Sequence, residues 1–511
     1  MQIIDNKALL LKLRNPKQVT TIIPKSKAVS ENEVVVRWGV HEVHTLRGLN
    51  IKVPSPIESR YVWTGRFQPM SHQRTTAAFL TMNKKAFCFN EAGTGKTASA
   101  IWAADFLMKQ GIIKRASVIC PISIMDSAWP ANLFSFAMHR TVDIAYGSAA
   151  KRKKIIAAQP EFLIINYDGV EIVRDDIAAA GYDLIIVDEA SHYKNAQSKR
   201  WKVLNSLVKP DTWLWLMTGT PAAQGPEDAY GLAKLVNPTG VPKFFNAWKD
   251  MVMLKISQYR WKPKENAEFT VHRALQPAIR FTKDECLDLP DMLYVKRDVA
   301  LTKQQELYYS RLKKQMVMEV AGEQITAVNA AVMMGKLLQI SAGASYTESG
   351  DTVQFDINNR YNVLKEVIAE SAHKVLVFVP FKHVINMLSA QLTKDGITNA
   401  VINGDVSAGE RTAIFKQFQL QPDPRVLVIQ PQAAAHGVTL TAADTVVWWA
   451  PTSSLETYAQ ANARVHRKGQ TKKCTVVQLQ GSGVERRVYS MLDDKIDVHT
   501  KVVDLYKDLL D

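Results

Sequence analysis

The chain has 511 residues, 47% of them hydrophobic, which is enough to bury several cores and too apolar for a disordered polyelectrolyte. Its 64 basic and 49 acidic side chains leave a net charge of +15 and a pI near 9.4, a balance that predicts a polyanionic partner. No apolar run reaches the roughly 18 residues a membrane span needs, and the first residues, with Asp5, Lys7, Lys12 and Arg14, hold no signal-peptide core, so a soluble cytoplasmic protein without a membrane partner is expected. The four cysteines, Cys88, Cys120, Cys286 and Cys474, stand far apart with no CxxC pair, which argues against structural zinc and disulfides.

In chain order, residues 1–57 predict a small strand-rich module, with β-prone runs at Val19–Ile23 and Val34–Trp38 separated by Pro24 and the polar stretch Lys25–Glu33. Its mild positive charge would suit branched DNA or a protein partner, and bracing the next domain is the default. The pattern then turns α/β. Ala86–Phe89 predicts a strand, Asn90-Glu91-Ala92-Gly93-Thr94-Gly95-Lys96-Thr97 a loop, and Ala98–Met108 a helix. In that context the loop is a phosphate cradle: Gly93, Thr94 and Gly95 bring backbone N–H groups to phosphate oxygens, Lys96 reaches the β- and γ-phosphates of ATP, and the Thr97 hydroxyl ligates Mg²⁺. Asn90 stands where such loops usually begin with glycine, and asparagine tolerates a left-handed backbone better than most residues.

Lys151-Arg152-Lys153-Lys154 reads as a charged helix start or loop. Tyr182–Val187 predicts a buried parallel strand, and it ends in Asp188-Glu189. Carboxylates at the C-terminal end of such a strand face the ligand crevice, so Asp188 is expected to hold Mg²⁺ and Glu189 to orient and deprotonate water. Residues 222–355 carry helix-like patterns, such as Val328–Ile340, in place of strand signals. There Lys243, Trp248, Lys249, Lys255, Tyr259, Arg260, Trp261, Lys262 and Lys264 interleave charge with aromatics. Two readings stand: a surface leaning over a DNA backbone, or a solvated face with aromatics buried behind it. Lys374–Val379 opens a second α/β series. Val484–Leu510 predicts a C-terminal helical stretch that packs on what precedes it. Before it, Gln460, Arg464 and Arg467 place two arginines one helical turn apart after a glutamine, a set shaped for a γ-phosphate, because an i, i+3 pair can put both guanidiniums on one side of a helix.

These segments and others between them, from residue 60 to residue 495, resemble the motifs of superfamily-two helicase-like ATPases, and specifically the Swi/Snf family of double-stranded DNA translocases. Phe67–Gln73 is similar to the adenine-reading entry, with Gln73 on the base. Val118–Pro121 followed by Trp129, and Ile165–Asp168, resemble the first DNA-contacting motifs, and Leu216–Pro221 the coupling motif. Arg280, Lys283, Leu289, Pro290, Leu301-Thr302, Gln305 and Tyr308 resemble the family's bridge between lobes. Ile402–Asp405 with Arg411 and Phe418, and His436–Asp444, match second-lobe segments, and His466-Arg467-Lys468-Gly469-Gln470 is the tail of the arginine-finger motif.

The resemblance implies an α/β fold of two RecA-like lobes, parallel sheets flanked by helices, at 58–221 and 356–482. Helical protrusions at 222–355 separate them, the strand-rich module 1–57 precedes them, and a helical brace at 483–511 follows. It implies ATP in the cleft between the lobes, with Lys96, Thr97, Asp188 and Glu189 from one and Gln460, Arg464, Arg467 and Gly437 from the other. It further implies that Pro121, Asn166, Tyr167, Thr220, Asn403, Gly404 and Thr439 face nucleic acid. Two departures bear on coupling. Ser191 occupies the usual histidine position of Asp-Glu-x-His, with His192 one residue later, and Gln430-Pro431-Gln432 replaces a Ser-Thr-Arg start. The implied function is ATP-driven translocation on double-stranded or branched DNA by a monomer in a bacterial or phage-infected cell, with room for an unidentified protein partner and a role such as DNA repair. The alternatives are a strand-separating helicase and an ATP-insensitive DNA-binding scaffold.

Overall fold

Strands made almost wholly of apolar residues must be covered on both faces, and the chain meets that requirement with two parallel sheets. The computed structural model describes residues 1–494 apart from 66, 127, 223–224, 257–260, 287–289, 291, 323–326, 347–351, 435–437 and 468, with backbone alone at 315–322, 327–330, 408 and 434. It divides into a first unit, residues 1–222 and 226–286, and a second built from the chain beyond residue 286. The stretch expected as one helical insertion, 222–355, is thereby shared between them.

The N-terminal module is an antiparallel sheet of β1 (Gln2–Ile4), β2 (Ala8–Lys12), β3 (Lys27–Ser30) and β4 (Glu33–Arg37) in the order β1-β2-β4-β3. Leu9, Leu11, Val34 and Val36 alternate inward and are buried. The strand expected at Val19–Ile23 is instead a helix, Pro16–Ile22. Pro16 opens it, where a missing N–H costs nothing, and Val19 packs into the core; β-branched residues favour strands only where a pleated neighbour is available. Trp38 is wholly buried and donates Nε1–H to the Pro54 carbonyl at 3.0 Å. One continuous apolar core runs from this module into the first parallel sheet.

That sheet has seven strands, all parallel: β5 (Lys85–Cys88), β6 (Ala116–Cys120), β7 (Val142–Ile144), β8 (Phe162–Asn166), β9 (Leu184–Asp188), β10 (Trp213–Met217) and, beyond a hairpin of β11 (Met253–Lys255) and β12 (Trp261–Pro263), the short β13 (Ala278–Ile279). Their order is β13-β5-β10-β9-β6-β8-β7. In the second unit β14 (Met292–Asp298) and a hairpin, β15 (Ala344–Tyr346) with β16 (Thr352–Gln354), precede β17 (Lys374–Phe378), β18 (Asn399–Ile402), β19 (Val426–Ile429), β20 (Ala443–Trp448) and β21 (Cys474–Gln480). The six-stranded parallel order is β14-β21-β20-β17-β19-β18. Helices Lys303–Gly322 and Ala327–Ala342 come between, the second where the sequence predicts it. Helix Gly483–Asp493 follows β21; the rest of the expected C-terminal helix lies outside the described residues. A buried ion pair, Arg360 Nη2 to Glu485 Oε2 at 2.8 Å, ties that helix to Asn358–Glu370.

One buried carboxylate organises the first unit away from its strand ends. Asp105, on helix Lys96–Lys109, has no exposed side-chain surface and accepts from Tyr61 Oη (2.6 Å), Arg140 Nε (2.7 Å), His139 Nε2 (2.8 Å) and Lys109 Nζ (2.9 Å). Burial pushes its pKa up, but the hydrogen bonds from Tyr61, Lys109, Arg140 and His139 outweigh that and hold it below the usual carboxylate range. A folded pKa below the unfolded one stabilises above the unfolded value and is lost as pH falls through the folded value. Asp105→Asn should therefore cost on the order of 3 kcal/mol near neutral pH, in urea titrations, with the gap to the native chain closing as pH drops below about 4.

Candidate nucleotide-hydrolysis site

In the first sheet every strand runs the same way, so the residues following β5, β6, β8, β9 and β10 gather at one edge. At β5 the chain leaves a wholly buried Cys88 and enters the loop. Gly93 (φ 95°) and Gly95 (φ 86°) take left-handed conformations, and Gly95 caps helix Lys96–Lys109. A Cβ at Gly95 would meet the flexible end of the Gln73 side chain, which could move aside, so it is the left-handed backbone that asks for glycine there. The first-turn amides of this 14-residue helix open beyond the loop, an arrangement that favours phosphate.

Asn90 does not adopt the left-handed backbone considered for it. Its side chain serves instead: Nδ2 donates to Thr76 Oγ1 at 2.8 Å and Oδ1 accepts from the Phe281 amide at 3.0 Å, at 1% exposure. The glycine of the usual loop is thus replaced by a bridge between helix Ser71–Thr81 and the segment after β13. That segment reaches the loop again where the Lys283 amide donates to Glu91 Oε2 at 3.1 Å. Lys96 Nζ donates to the Asn90 carbonyl at 2.7 Å. Gln73 donates to the Thr94 carbonyl (3.1 Å) and accepts from the Met70 amide (3.0 Å), and His72 Nε2 lies 2.8 Å from the same Thr94 oxygen. Thr97 stands half-buried in the first helical turn.

Asp188 ends β9 at 7% exposure. Its Oδ2 accepts from Trp129 Nε1 (2.9 Å), Oδ1 from the Glu189 amide (3.1 Å), and its carbonyl from Tyr167 Oη (2.6 Å). Glu189 sits at φ 52°, ψ 56°, a strained conformation for a side chain other than glycine. The oxygen donors of Thr97 and Asp188 fit Mg²⁺, a hard cation. Burial pushes the nearby Cys88 thiol up to about 11, which keeps it protonated and out of metal chemistry.

Of the positions expected to face nucleic acid, Pro121 and Tyr167 are buried. Tyr167 packs edge-on against Tyr193 and aims its hydroxyl at Asp188, and Trp129, also expected on that face, has no exposure at all. Trp129 has no surface to lay along a polymer and Tyr167 very little, and both aim their polar atoms inward at Asp188. Asn166 accepts from Arg152 Nη1 at 3.1 Å; Arg152, from the basic run expected on a charged helix start, is itself buried on helix Ala149–Ala157. The Thr220 amide donates to Thr218 Oγ1 at 3.2 Å. In the protrusion Trp248 is buried, whereas Lys249 and Lys255 sit 4.3 and 5.9 Å from the ring centroid of Trp261, so cations front an aromatic layer. Tyr259 and Arg260 lie outside the described residues.

In the second unit Gln460 lies on helix Leu455–Asn462 and donates to Glu456 Oε1 at 3.1 Å. The helix ends at Asn462, so Arg464 and Arg467 do not share a helical side with it. They stand in the turn beyond, because buried Gln470 donates to the Ala443 (2.9 Å) and Val465 (3.3 Å) carbonyls and pulls the chain round. Cations just past a helix C-terminus suit its dipole. Arg464 is buried, and Arg467 donates Nη1–H to the Val438 carbonyl at 2.9 Å. Burial holds the Arg467 guanidinium below its usual pKa, and among the described residues no carboxylate pairs with it. Asn403 is buried and accepts from the Asp405 amide at 3.0 Å, while Gly404 and Thr439 are exposed. Gln430, half-buried, opens the short turn that replaces the Ser-Thr-Arg start. Gly437, His436 and Lys468 lie outside the described residues.

A family model described as the SNF2-related domain matches residues 36–344, and one described as the helicase conserved C-terminal domain matches 359–469. The chain belongs to the SNF2-related family. It is 25% identical over 430 residues to a Mycoplasma genitalium protein described as an uncharacterized ATP-dependent helicase, covering 81% of this chain and 40% of that protein. It is 23% identical over 422 residues to a protein of Acyrthosiphon pisum secondary endosymbiont phage 1, covering 78% of this chain and 88% of that one. The chain spans about two fifths of the length of the first curated relatives it matches. The Sulfolobus solfataricus SWI2/SNF2 ATPase core in complex with dsDNA aligns at 21% identity and a TM-score of 0.42, over 88% of this chain and 94% of that one.

Sequence reasoning placed Trp129 in an SNF2 motif but missed its place against Asp188, 59 residues away. The available signal was chemical: a buried indole N–H needs an acceptor. In the loop after β5, Asn90→Gly should weaken the first unit by roughly 1–3 kcal/mol, because it leaves the Phe281 amide without its acceptor and the buried Thr76 hydroxyl with its bond to the His72 carbonyl alone. Urea melts of the full chain beside ADP affinities will read this, and both should fall.

Proposed function

We propose that the chain is a DNA-stimulated ATPase that translocates along double-stranded or branched DNA, remodelling DNA structures or displacing bound proteins. The observation that carries this reading is a glycine-rich loop before a helix and an Asp-Glu strand end on one edge of a parallel sheet, in a family with relatives described as an ATP-dependent helicase and a chromatin-remodeling factor. Lys96 leaves the Asn90 carbonyl for the β- and γ-phosphates, while Gly93, Thr94 and Gly95 offer amides to the same oxygens. Asp188 and Thr97 hold Mg²⁺, which supplies charge neutralisation to the phosphates when bound. Glu189 takes a proton from the attacking water, and Gln73 meets the base. Arg464 and Arg467, with Gln460 and Gly437, serve the γ-phosphate; a half-buried Arg467 with no carboxylate on it among the described residues is relieved by an anion.

The DNA side rests on the +15 charge and on backbone contacts rather than base reading. Asn166, Thr220, Gly404 and Thr439 contribute to it, and exposed Lys255 and Lys262 add phosphate contacts. The working unit is a cytoplasmic monomer.

ATPase rates measured with no DNA, duplex, single-stranded and forked DNA test the reading, and duplex should stimulate most. Equal rates in all four would overturn it. Triplex displacement without strand separation is expected and distinguishes translocation from unwinding. Arg467→Ala should keep nucleotide affinity while DNA-stimulated turnover falls about 10³-fold; turnover at the native rate would remove Arg467 from the site. Replacing Lys255 and Lys262 together with alanine should lower the slope of log affinity against log salt by about 2 in duplex-binding titrations.

A further inference from the structure

The sequence groups Trp129 with a segment that faces DNA, yet the indole is wholly buried and its Nε1–H points at Asp188. We infer that Trp129 is a positioning residue for the Asp188 carboxylate, fixing the orientation in which that group meets the divalent cation. This rests on the proposed role of Asp188 in holding Mg²⁺. The two carboxylate oxygens have different donors: Oδ2 takes the Trp129 indole at 2.9 Å, and Oδ1 takes the Glu189 amide at 3.1 Å. With a donor on each oxygen, rotation about the carboxylate bond breaks both hydrogen bonds. Below it, Tyr167 Oη holds the Asp188 carbonyl at 2.6 Å and so fixes the backbone from which the carboxylate hangs.

The chemistry of the donor matters. Indole N–H is neutral, donates once and accepts nothing, so it orients an oxygen while leaving the full negative charge for the cation. A lysine or arginine in its place would orient the group and neutralise it. Burial adds rigidity, since the N–H has no water to turn to if the bond is lost.

The elements that carry these donors set a further consequence. Trp129 is on helix Ala128–Ala137, which follows β6 and Pro121, and Tyr167 begins helix Tyr167–Ile172 at the end of β8. β6 and β8 are neighbours inside the sheet, and β6 also pairs with β9. A shift of helix Ala128–Ala137 relative to β9 therefore acts on the carboxylate through one hydrogen bond.

Partners of metal-ligating groups typically change metal affinity 10- to 100-fold when removed. The test uses the full chain and binding of ADP bearing an N-methylanthraniloyl label, titrated with Mg²⁺ and compared with the same binding in EDTA. Trp129→Phe, and replacement of Trp129 by 3-benzothienylalanine, which puts sulfur in place of N–H at nearly constant shape, should each raise the Mg²⁺ midpoint by about tenfold or more. Binding in EDTA should stay at the native level. Asp188→Asn should abolish the Mg²⁺ enhancement. If the phenylalanine variant does not fold, the benzothienyl variant decides. A native Mg²⁺ midpoint in the benzothienyl variant, with enhancement lost in Asp188→Asn, overturns the inference and leaves the role of Asp188 standing. A native midpoint in Asp188→Asn overturns that role, and the inference falls with it.

Discussion

A parallel sheet covered on both faces leaves no room for charge along its strands, so polar groups leave the core at strand ends. β5, β6, β9 and β10 are buried almost from end to end, and the residues at or just past their C-terminal ends are Asn90, Pro121, Asp188 and Thr218. That single constraint gathers the loop expected to hold phosphate, the carboxylates and the segments expected on the DNA side onto one rim. It also makes them compete for the same few ångströms. Trp129 and Tyr167 show how the competition is resolved in this chain: both aromatics turn inward and hold Asp188, leaving outward contact to neighbouring residues.

One departure from the usual motifs acquires physical sense at that rim, and one motif residue is held there under strain. Asn90 replaces conformational freedom with two hydrogen bonds that anchor the loop to helix Ser71–Thr81 and to Phe281. The loop gains a fixed base at the expense of backbone adaptability, and Gly93 and Gly95 retain the left-handed turns it still needs. At Glu189 strain is kept rather than removed. A non-glycine residue at φ 52° costs about 1–3 kcal/mol, and it is held there by the strand behind it, the 3₁₀ turn Ala190–Tyr193 ahead of it and the Tyr167 hydroxyl beside it.

The second unit obeys the same sheet rule but places its arginines by a different device. Helix Leu455–Asn462 stops early, and Gln470 folds the following turn back on β20 by hydrogen bonds to main-chain carbonyls. His466 Nε2, 2.7 Å from the Pro290 carbonyl, pins the same turn from another side. The glutamine and histidine of this segment therefore serve the geometry of Arg464 and Arg467.

The sequence by itself determined what depends on neighbours along the chain. Apolar runs fixed the core strands, Gly93 and Gly95 fixed the loop, and the order of short motifs fixed the SNF2-related family with its two α/β units. It misjudged Val19–Ile23, where local β-propensity yielded to Pro16 and to packing of Val19, and it misjudged Arg464 and Arg467, where helical periodicity was carried past a helix that had ended. Only the tertiary structure decided which partner each buried polar atom has. The Trp129 indole meets Asp188 across 59 residues, Asn90 meets Phe281 across 191, and Arg360 meets Glu485 across 125. A buried donor must find an acceptor, but nothing in a linear sequence says which distant strand end will bring one within about 3 Å.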